Sequence, residues 1–370
     1  MEELRSEGNV LKRLYIITNP IPTHNASPVV SLGKFAAEVT TAGFDAYVIG
    51  ARLPRDISDI SDMPDSVKTH SFSYGGRGIA KALSYVLLQL RLFFFCLVRL
   101  RTDTPVFFWL GDKMVGAFLA AKCRRSDISY FVYGRTDSDR SPGWAKKLLR
   151  FMMRHADHVC AEAPSVLSDW GVEHGDVIPL YCPAPSGVVP YSERGHRICM
   201  LCRLVPEKHP LEAIRAAIRV LRDFPDWSLT VIGGGLLEDE CRALADSAER
   251  ISVTGWLTSD KVRQMLTEFR ILLYPTDTEG VPGGVLEAMS AGVVPLVSPV
   301  GGIPDVVRGI GDVYLSGTSE DAIADSLRAA ILRDDLADIS QRAESRIRER
   351  YSIEGAARNF KDIIDGRTHR

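Results

Sequence analysis

The segment ILLYPTDTEGVPGGVLEAMSAGVVPLV, residues 271–297, decides the fold. An apolar run of strand length (271–274) leads through a polar loop to a helix beginning at Gly283 and running to 291. A second apolar run follows at 294–297. Strand, helix and strand in such close succession mark an open parallel sheet with helices on both faces. Working outward, the same alternation covers the second half of the chain. Strands are read at 198–202, 228–232 and 251–254, and helices at 210–223, 236–246 and 259–268. Further helices start at Ser319 and Leu336, and a last one spans 353–364. In the first half, strands are read at 14–18, 46–49, 106–110, 130–133, 158–161 and 177–180. Helices lie between them at 31–42, 80–100, 115–124, 143–154 and 165–170.

Residues 181–190, YCPAPSGVVP, place three prolines and a glycine between the two halves, a linker signal. The expectation is therefore α/β: two doubly wound, Rossmann-like units in series, facing a central cleft. At about 100–200 residues per domain, 370 residues suit two. The expected division is 1–183, a linker at 184–194, 195–350, and a closing segment at 351–370.

Hydrophobic residues make up 45% and charged residues 25%, which argues against disorder or a polytopic membrane protein. Lys and Arg number 45 against 47 Asp and Glu, so the balance predicts no nucleic-acid partner. The seven cysteines are scattered and mostly sit in apolar runs, which reads as reduced thiols and a cytoplasmic protein. Cys199 and Cys202 have metal spacing but lie within a strand. Residues 1–10 are polar and of mixed charge, unlike a signal or transit peptide.

In doubly wound sheets, ligands sit at the carboxyl ends of strands, beside the loops that enter helices. Arg203 and Lys208 flank a sharp turn just before the helix that Pro210 opens. Fixed cations beside free helix amides suit a diphosphate, though two solvated surface charges would show the same spacing. Gly233, Gly234 and Gly235 end the next strand, where a backbone can approach a ligand with no Cβ in the way, or simply turn tightly. Glu279 leaves one strand end and Glu287 sits on the helix that Gly283 begins. Two carboxylates thus bracket free amides, a combination that fits a nucleotide sugar: hydroxyls at either end and phosphates in the middle.

Arg203 with Lys208, the Gly233–Gly235 turn, Gly255 with Trp256, and Glu279 with Glu287 resemble the donor-binding domain of retaining glycosyltransferases. The run LEAMSAG at 286–292 adds to the likeness. The pattern is most similar to glycosyltransferase family 4, among the group 1 glycosyltransferases of GT-B architecture, and its motifs span about 197–307. The segment around 351–364 resembles the family's C-terminal helix, which crosses back onto the first domain.

The resemblance implies that Arg203 and Lys208 bind the donor diphosphate and stabilise the leaving group in place of a metal. Glu287 is then the ribose ligand, Trp256 and Leu257 border the base, and Gly234 lies against the donor. Glu279 with Gly283, Gly284 and Val285 positions the sugar. Retention by front-face attack is implied, with no obligate cofactor and a nucleoside-diphosphate sugar as donor. Two places depart from the family. Residues 19–27, NPIPTHNAS, stand where many members carry a glycine pair, and 133–137, YGRTD, where many carry a histidine. His24 and Arg135 are the candidate acceptor-side substitutes. Asp137 and Asp139 match a metal-binding Asp-x-Asp, but lie outside the donor half and read as a polar loop; no metal site is expected.

From Ser66 to His155 there are sixteen Lys and Arg against five Asp and Glu. The apolar stretch 79–100 is interrupted by Lys81, Arg91 and Arg99 and falls short of an uninterrupted span. It is expected in the domain core or with one face at a membrane interface. Residues 144–154, WAKKLLRFMMR, add four cations beside aromatic side chains, which suits an anionic lipid surface, although a solvated face is the usual role of a charge run. The expected partners are a nucleotide-sugar donor and a glycan or lipid-linked acceptor, with peripheral contact on the cytoplasmic face of a membrane. Two other readings stay open: a non-catalytic nucleotide-sugar-binding scaffold, and another enzyme of the same architecture such as a sugar-nucleotide epimerase.

Overall fold

The computed structural model describes residues 12–18, 27–51, 63–73, 75–109, 114–132 and 143–368. The first unit runs β1 (Arg13–Thr18), α1 (Ser27–Thr41), β2 (Asp45–Ala51), β3 (Lys68–Phe72), α2 (Gly78–Arg99), β4 (Pro105–Trp109), α3 (Val115–Cys123), β5 (Asp127–Phe131), α4 (Gly143–His155), β6 (His158–Ala161), α5 (Pro164–Asp169) and β7 (Asp176–Val177). Its seven strands are all parallel, in the order β3-β2-β1-β4-β5-β6-β7. The second unit runs β8 (Arg197–Leu201), α6 (Pro210–Val220), β9 (Ser228–Ile232), α7 (Glu238–Ala245), β10 (Ile251–Val253), α8 (Ser259–Leu266), β11 (Ile271–Tyr274), α9 (Gly283–Ser290), β12 (Val294–Val297), α10 (Ile303–Val307), α11 (Glu320–Ile331), α12 (Leu336–Arg350) and α13 (Ile353–Thr368). Its five parallel strands follow the order β10-β9-β8-β11-β12.

The inner strands are apolar throughout because helices cover both faces of each sheet. All five residues of β4, Pro-Val-Phe-Phe-Trp, are buried. β3, with the sequence KTHSF, is a strand that the apolar pattern does not reveal. It pairs only with β2 at the sheet edge and is largely exposed, so nothing selects for an apolar run there. β5 begins three residues before its expected start, and β7 has two residues where four are read in the sequence.

On one face of the first sheet, α1 packs an aromatic core. Phe35 stacks on Trp109 at 4.3 Å, and Trp109 lies 4.2 Å from Phe131. The C-terminal helix closes this same core. Phe360 of α13, fully buried, meets Phe35 and Phe44 edge-on at 5.6 and 5.7 Å. The Cys182 amide donates to the Tyr351 carbonyl at 2.7 Å, and Asn359 Nδ2 donates to the Val177 carbonyl. The chain thus returns to the first unit after completing the second. The buried Arg194 secures the crossing chain to the second unit: its guanidinium donates to the carbonyls of Val189, Phe269, Ala291 and Gly292 at 2.8–3.0 Å.

On the other face, α2 lies along α3 so closely that a Cβ on Gly116 would come within 2.0 Å of the Gln89 carbonyl oxygen, while the Gly116 amide donates to Gln89 Oε1 at 2.9 Å. α2 is continuous over 22 residues, and it is the one described helix long and apolar enough, by length and composition, to cross a membrane. Leu88, Leu92 and Cys96 are buried. The opposite stripe, Ile79, Leu83, Val86, Leu90, Phe94 and Val98, is exposed, with Ile79 and Val98 above 80%.

Inside α1, Glu38 is fully buried. Its Oε1 accepts a hydrogen bond from the Tyr181 amide, while Oε2 is without a hydrogen-bond partner. Burial pushes its carboxyl well above the ordinary carboxylate range, and the nearby Glu162 adds to the rise. A raised acid stabilises the fold below its unfolded pKa of about 4.3, and that contribution is lost as pH climbs toward the folded value. Glu38→Gln cannot ionise. Its melting temperature relative to wild type is expected to rise between pH 5 and pH 8, at roughly 2–4 °C per kcal/mol. A pH-independent difference would show that Glu38 does not titrate between folded and unfolded states.

Candidate active site

In the second sheet, β8 lies between β9 and β11. The chain leaves β8 toward β9 on one side and β11 toward β12 on the other, so the crevice beyond their carboxyl ends is a topological switch point. The loop after β8 carries Arg203 and Lys208; the loop after β11 carries Glu279.

Lys208 is buried, ending the 3-10 turn Pro206–Lys208. Its ammonium is ion-paired with Glu279 Oε1 and donates to Thr276 Oγ1 at 3.0 Å and the Thr278 carbonyl at 3.3 Å; it also lies 5.5 Å from the Tyr274 ring centre. The Tyr274 hydroxyl donates to the same Glu279 oxygen at 2.6 Å. Burial, reinforced by the Glu279 charge, pushes the Tyr274 hydroxyl well above its ordinary pKa. The two loops are stitched together by further contacts. The Asp277 amide donates to the Glu207 carbonyl at 3.0 Å, and His209 Nε2 lies 2.7 Å from Asp277 Oδ1. His209 adopts φ +45°, a left-handed backbone that ends the turn before Pro210 opens α6.

Two glycine groups allow this close approach. Gly233 has φ +137°, and a Cβ there would fall 1.9 Å from the Cys202 carbonyl oxygen. At Gly234 a Cβ would come within 2.6 Å of the Trp256 indole, so the exposed Trp256 lies over the glycine turn. Gly301 has φ +55°, and its Cβ would meet the Glu279 carbonyl oxygen at 1.8 Å; the next amide, of Gly302, donates to the Gly280 carbonyl. The backbone carrying Glu279 is thus pressed against the turn entering α10. α9 begins at Gly283 and Gly284 with Pro282 as its N-cap and no capping side chain. The positive end of its dipole and its first amides are free of side-chain caps.

The structure therefore brings Lys208 and Glu279 together, while Gly284 at the start of α9 lies against the Leu201 carbonyl at the end of β8. Arg203 lies on the rim, its side chain 57% exposed and 4.0 Å from Glu207. Glu287 on α9 faces the first unit, where Lys34 Nζ of α1 is 4.0 Å from Glu287 Oε1. Leu257 packs against the second unit's core. Val285 is fully buried, and its amide donates to the Pro282 carbonyl. Cys199 and Cys202 are free thiols, Cys202 pushed up by burial to about 12. Among the described residues, no cluster of three or more His, Cys, Asp or Glu could hold a metal ion. His24, Arg135, Asp137 and Asp139 lie outside the described residues.

Sequence reasoning overlooks Tyr274, Thr276, Lys34, Glu38 and Glu162. Lys34 and Glu38 are four apart on α1, which signals a shared helix face. Glu162 directly follows β6, at the carboxyl end where ligands gather. Burial pushes its carboxyl up to about 7, with Glu279 adding to the rise and Lys34 opposing it.

Two parallel α/β sheets across a cleft, closed by a returning C-terminal helix, form the GT-B architecture of glycosyltransferases. HepE from Anabaena, solved with UDP, superposes with a TM-score of 0.73 at 13% identity, covering 95% of this chain and all of that one. Residues 195–333, within the second unit, match the family described as glycosyl transferases group 1. The 2-deoxystreptamine glucosyltransferase of Streptomyces kanamyceticus is 30% identical over 118 residues, 31% of this chain and 30% of that protein. A GDP-mannose-dependent monoacylated alpha-(1-6)-phosphatidylinositol monomannoside mannosyltransferase from Corynebacterium glutamicum is 29% identical over 133 residues, 34% of this chain and 35% of that protein. The matches thus span only about a third of these relatives' length.

Gly301→Ala tests the clamp on the Glu279 loop, with Gly309→Ala as control. Gly309 also has positive φ, +81°, but nothing lies within 4 Å of the position its Cβ would take. The control is expected to cost about 1 kcal/mol from backbone strain alone. Gly301→Ala is expected to cost more, roughly 2–4 kcal/mol by urea unfolding, because a carbonyl must also move.

Proposed function

We propose that this protein is a retaining glycosyltransferase that moves a hexosyl group from a nucleoside-diphosphate sugar to a glycan or lipid-linked acceptor, without an obligate metal. The observation that carries the reading is the buried Lys208–Glu279 pair at the switch point, beside the uncapped start of α9. The ammonium and the α9 amides supply positive potential where a diphosphate leaves, the role a metal fills elsewhere. Arg203 on the rim adds an exposed cation. Glu279 holds the sugar hydroxyls, and Glu287 the ribose, taking over from its contact with Lys34. Front-face attack keeps the anomeric configuration, with the leaving phosphate beside the incoming hydroxyl. A scaffold that only binds nucleotide sugars has no use for leaving-group stabilisation, so the buried cation favours an enzyme.

The donor is named by a thermal-shift panel of UDP-, GDP- and ADP-sugars, since a ligand that binds only the folded state raises its stability. One base is expected to produce a shift without metal. Lys208→Ala is expected to lower turnover about 100-fold or more. No shift with any donor, or full turnover in Lys208→Ala, would overturn the reading.

In this reading the acceptor lies at a lipid surface on the cytoplasmic side. The exposed stripe of α2 and the basic helix α4, with Trp144 and Phe151 exposed, cover the same face of the first sheet. The free cysteines suit a reducing compartment. The Corynebacterium relative acts, by name, on a phosphatidylinositol mannoside. Each Lys or Arg near an anionic surface contributes about 1 kcal/mol. Sedimentation with vesicles is expected to show at least tenfold tighter binding to phosphatidylglycerol-containing membranes than to pure phosphatidylcholine, and loss of binding in Phe94→Asp. Binding indifferent to both changes would remove the membrane from the proposal.

A further inference from the structure

Tyr274 is the last residue of β11, a strand buried along its whole length, and its ring packs in the core of the second unit. Five residues further on, Glu279 stands in the loop that runs to α9. The Tyr274 hydroxyl donates to Glu279 Oε1 at 2.6 Å, and the Lys208 ammonium is ion-paired with that same oxygen. Both partners of the carboxylate thus hold one of its two oxygens. The other, Oε2, has no hydrogen-bond or ion-pair partner among the described residues. It is also not among the buried unpartnered atoms, so it is open to solvent at the switch-point crevice.

The two grips on Oε1 differ in kind. The Lys208 ammonium divides its three N–H donors among Glu279, Thr276 Oγ1 at 3.0 Å and the Thr278 carbonyl at 3.3 Å. An ammonium is a compact point charge that attracts either oxygen of a carboxylate, so by itself it does not fix which one turns outward. A bound diphosphate, carrying its own negative charge, competes with Glu279 for that ammonium. The Tyr274 hydroxyl is neutral, has one proton to give, and is aimed at one oxygen from a strand that cannot shift. Burial, with the Glu279 charge adding to it, pushes the hydroxyl well above its ordinary pKa, so it remains a donor throughout the neutral range.

We propose that Tyr274 is the positioning residue of the donor-sugar site: its hydroxyl pins Glu279 Oε1 inward so that Oε2 faces the sugar and accepts its hydroxyls, leaving the Lys208 charge to act on the diphosphate. This rests on the glycosyltransferase reading. Tyr274 acts through Glu279 and is not itself a catalytic residue, because its one hydroxyl proton is committed to that carboxylate. The consequence is selective. Loss of the hydroxyl costs what Glu279 contributes to the sugar and spares what Lys208, Arg203 and the α9 amides contribute to the phosphates.

The test is a double-mutant cycle on the full-length chain: wild type, Tyr274→Phe, Glu279→Ala and the two combined. Affinities for UDP and GDP, and for UDP-glucose, UDP-N-acetylglucosamine and GDP-mannose, are measured by calorimetry, with melting and sugar release to water followed in parallel. A wild type that neither binds nor cleaves any of these sugar nucleotides overturns the glycosyltransferase reading, and this proposal with it. If one is bound and cleaved, Tyr274→Phe is expected to weaken that sugar nucleotide about tenfold and to lower kcat about tenfold, because the sugar's partner is misplaced. Its affinity for the bare nucleoside diphosphate is expected to stay within about twofold of wild type. In the Glu279→Ala background the same substitution is expected to change sugar-nucleotide affinity by less than about twofold, since no carboxylate is left to orient. Equal losses with and without the sugar, equal losses in both backgrounds, or wild-type binding by Tyr274→Phe overturn the role of Tyr274 and leave the glycosyltransferase reading standing. Tyr274→Phe keeps the ring and the Lys208–Glu279 pair; if it nevertheless fails to fold, the hydroxyl is holding the loop as a whole and the positioning role is overturned too. Should Glu279→Ala fail to fold, the comparison of sugar nucleotide with bare nucleotide in Tyr274→Phe decides alone.

Discussion

A lysine ammonium taken out of water needs a counter-charge and hydrogen-bond acceptors, and the Lys208 ammonium finds them only on the neighbouring strand's loop. Glu279, Thr276 and the Thr278 carbonyl all come from the segment after β11. Removing one partner of such a buried pair typically costs about 3–5 kcal/mol, so the two loops hold each other in place. Much of the local architecture answers to that constraint. β8 and β11 must be adjacent, the backbone at Gly301 must come within contact of the Glu279 carbonyl, and Tyr274 must supply a second donor to the carboxylate. Two adjacent strands whose connections depart in opposite directions open a crevice at that point, with a cation fixed at its floor.

Contacts between the two units gather on the same place. Lys34 approaches Glu287, Val281 enters the first unit's core, and Ser165 meets Asp305. α13 then ties the termini of the two units together through the aromatic core around Phe360. The first unit is therefore more than a platform. It presents Lys34 toward Glu287 of the second unit, and it holds two carboxyls of raised proton affinity, Glu38 and Glu162. Their raised affinities for protons share one cause, burial of charge next to other acids, and only Lys34 opposes it among the described cations acting on both.

The residue pattern was most legible where burial is two-sided. Inner strands such as β4 and β11 are continuous apolar runs because helices cover both of their faces, and the glycines at 233–235 stand out because no other residue leaves room for the backbone. β3 was illegible for the opposite reason: an edge strand buries little and selects for no apolar run. α2 shows a related ambiguity. Its composition suits a core helix, an interfacial helix or a spanning one, and only its packing on α3 separates a buried stripe at Leu88, Leu92 and Cys96 from an exposed one at Leu83 and Phe94.

The sequence by itself determined the alternation of strands and helices and nominated Lys208, Glu279, Glu287 and Gly283 as donor-side candidates, because local periodicity and loop position are written in neighbouring residues. The tertiary structure alone decided which of these meet. Lys208 is buried against Glu279 while Arg203 stands in solvent, and the Ser165 amide after β6 meets the Asp305 carboxylate of α10. Residues 165 and 305 are brought together by chain crossings that no local pattern records. A carboxyl's proton affinity depends on the charges and the water around it, and those are properties of the assembled cleft.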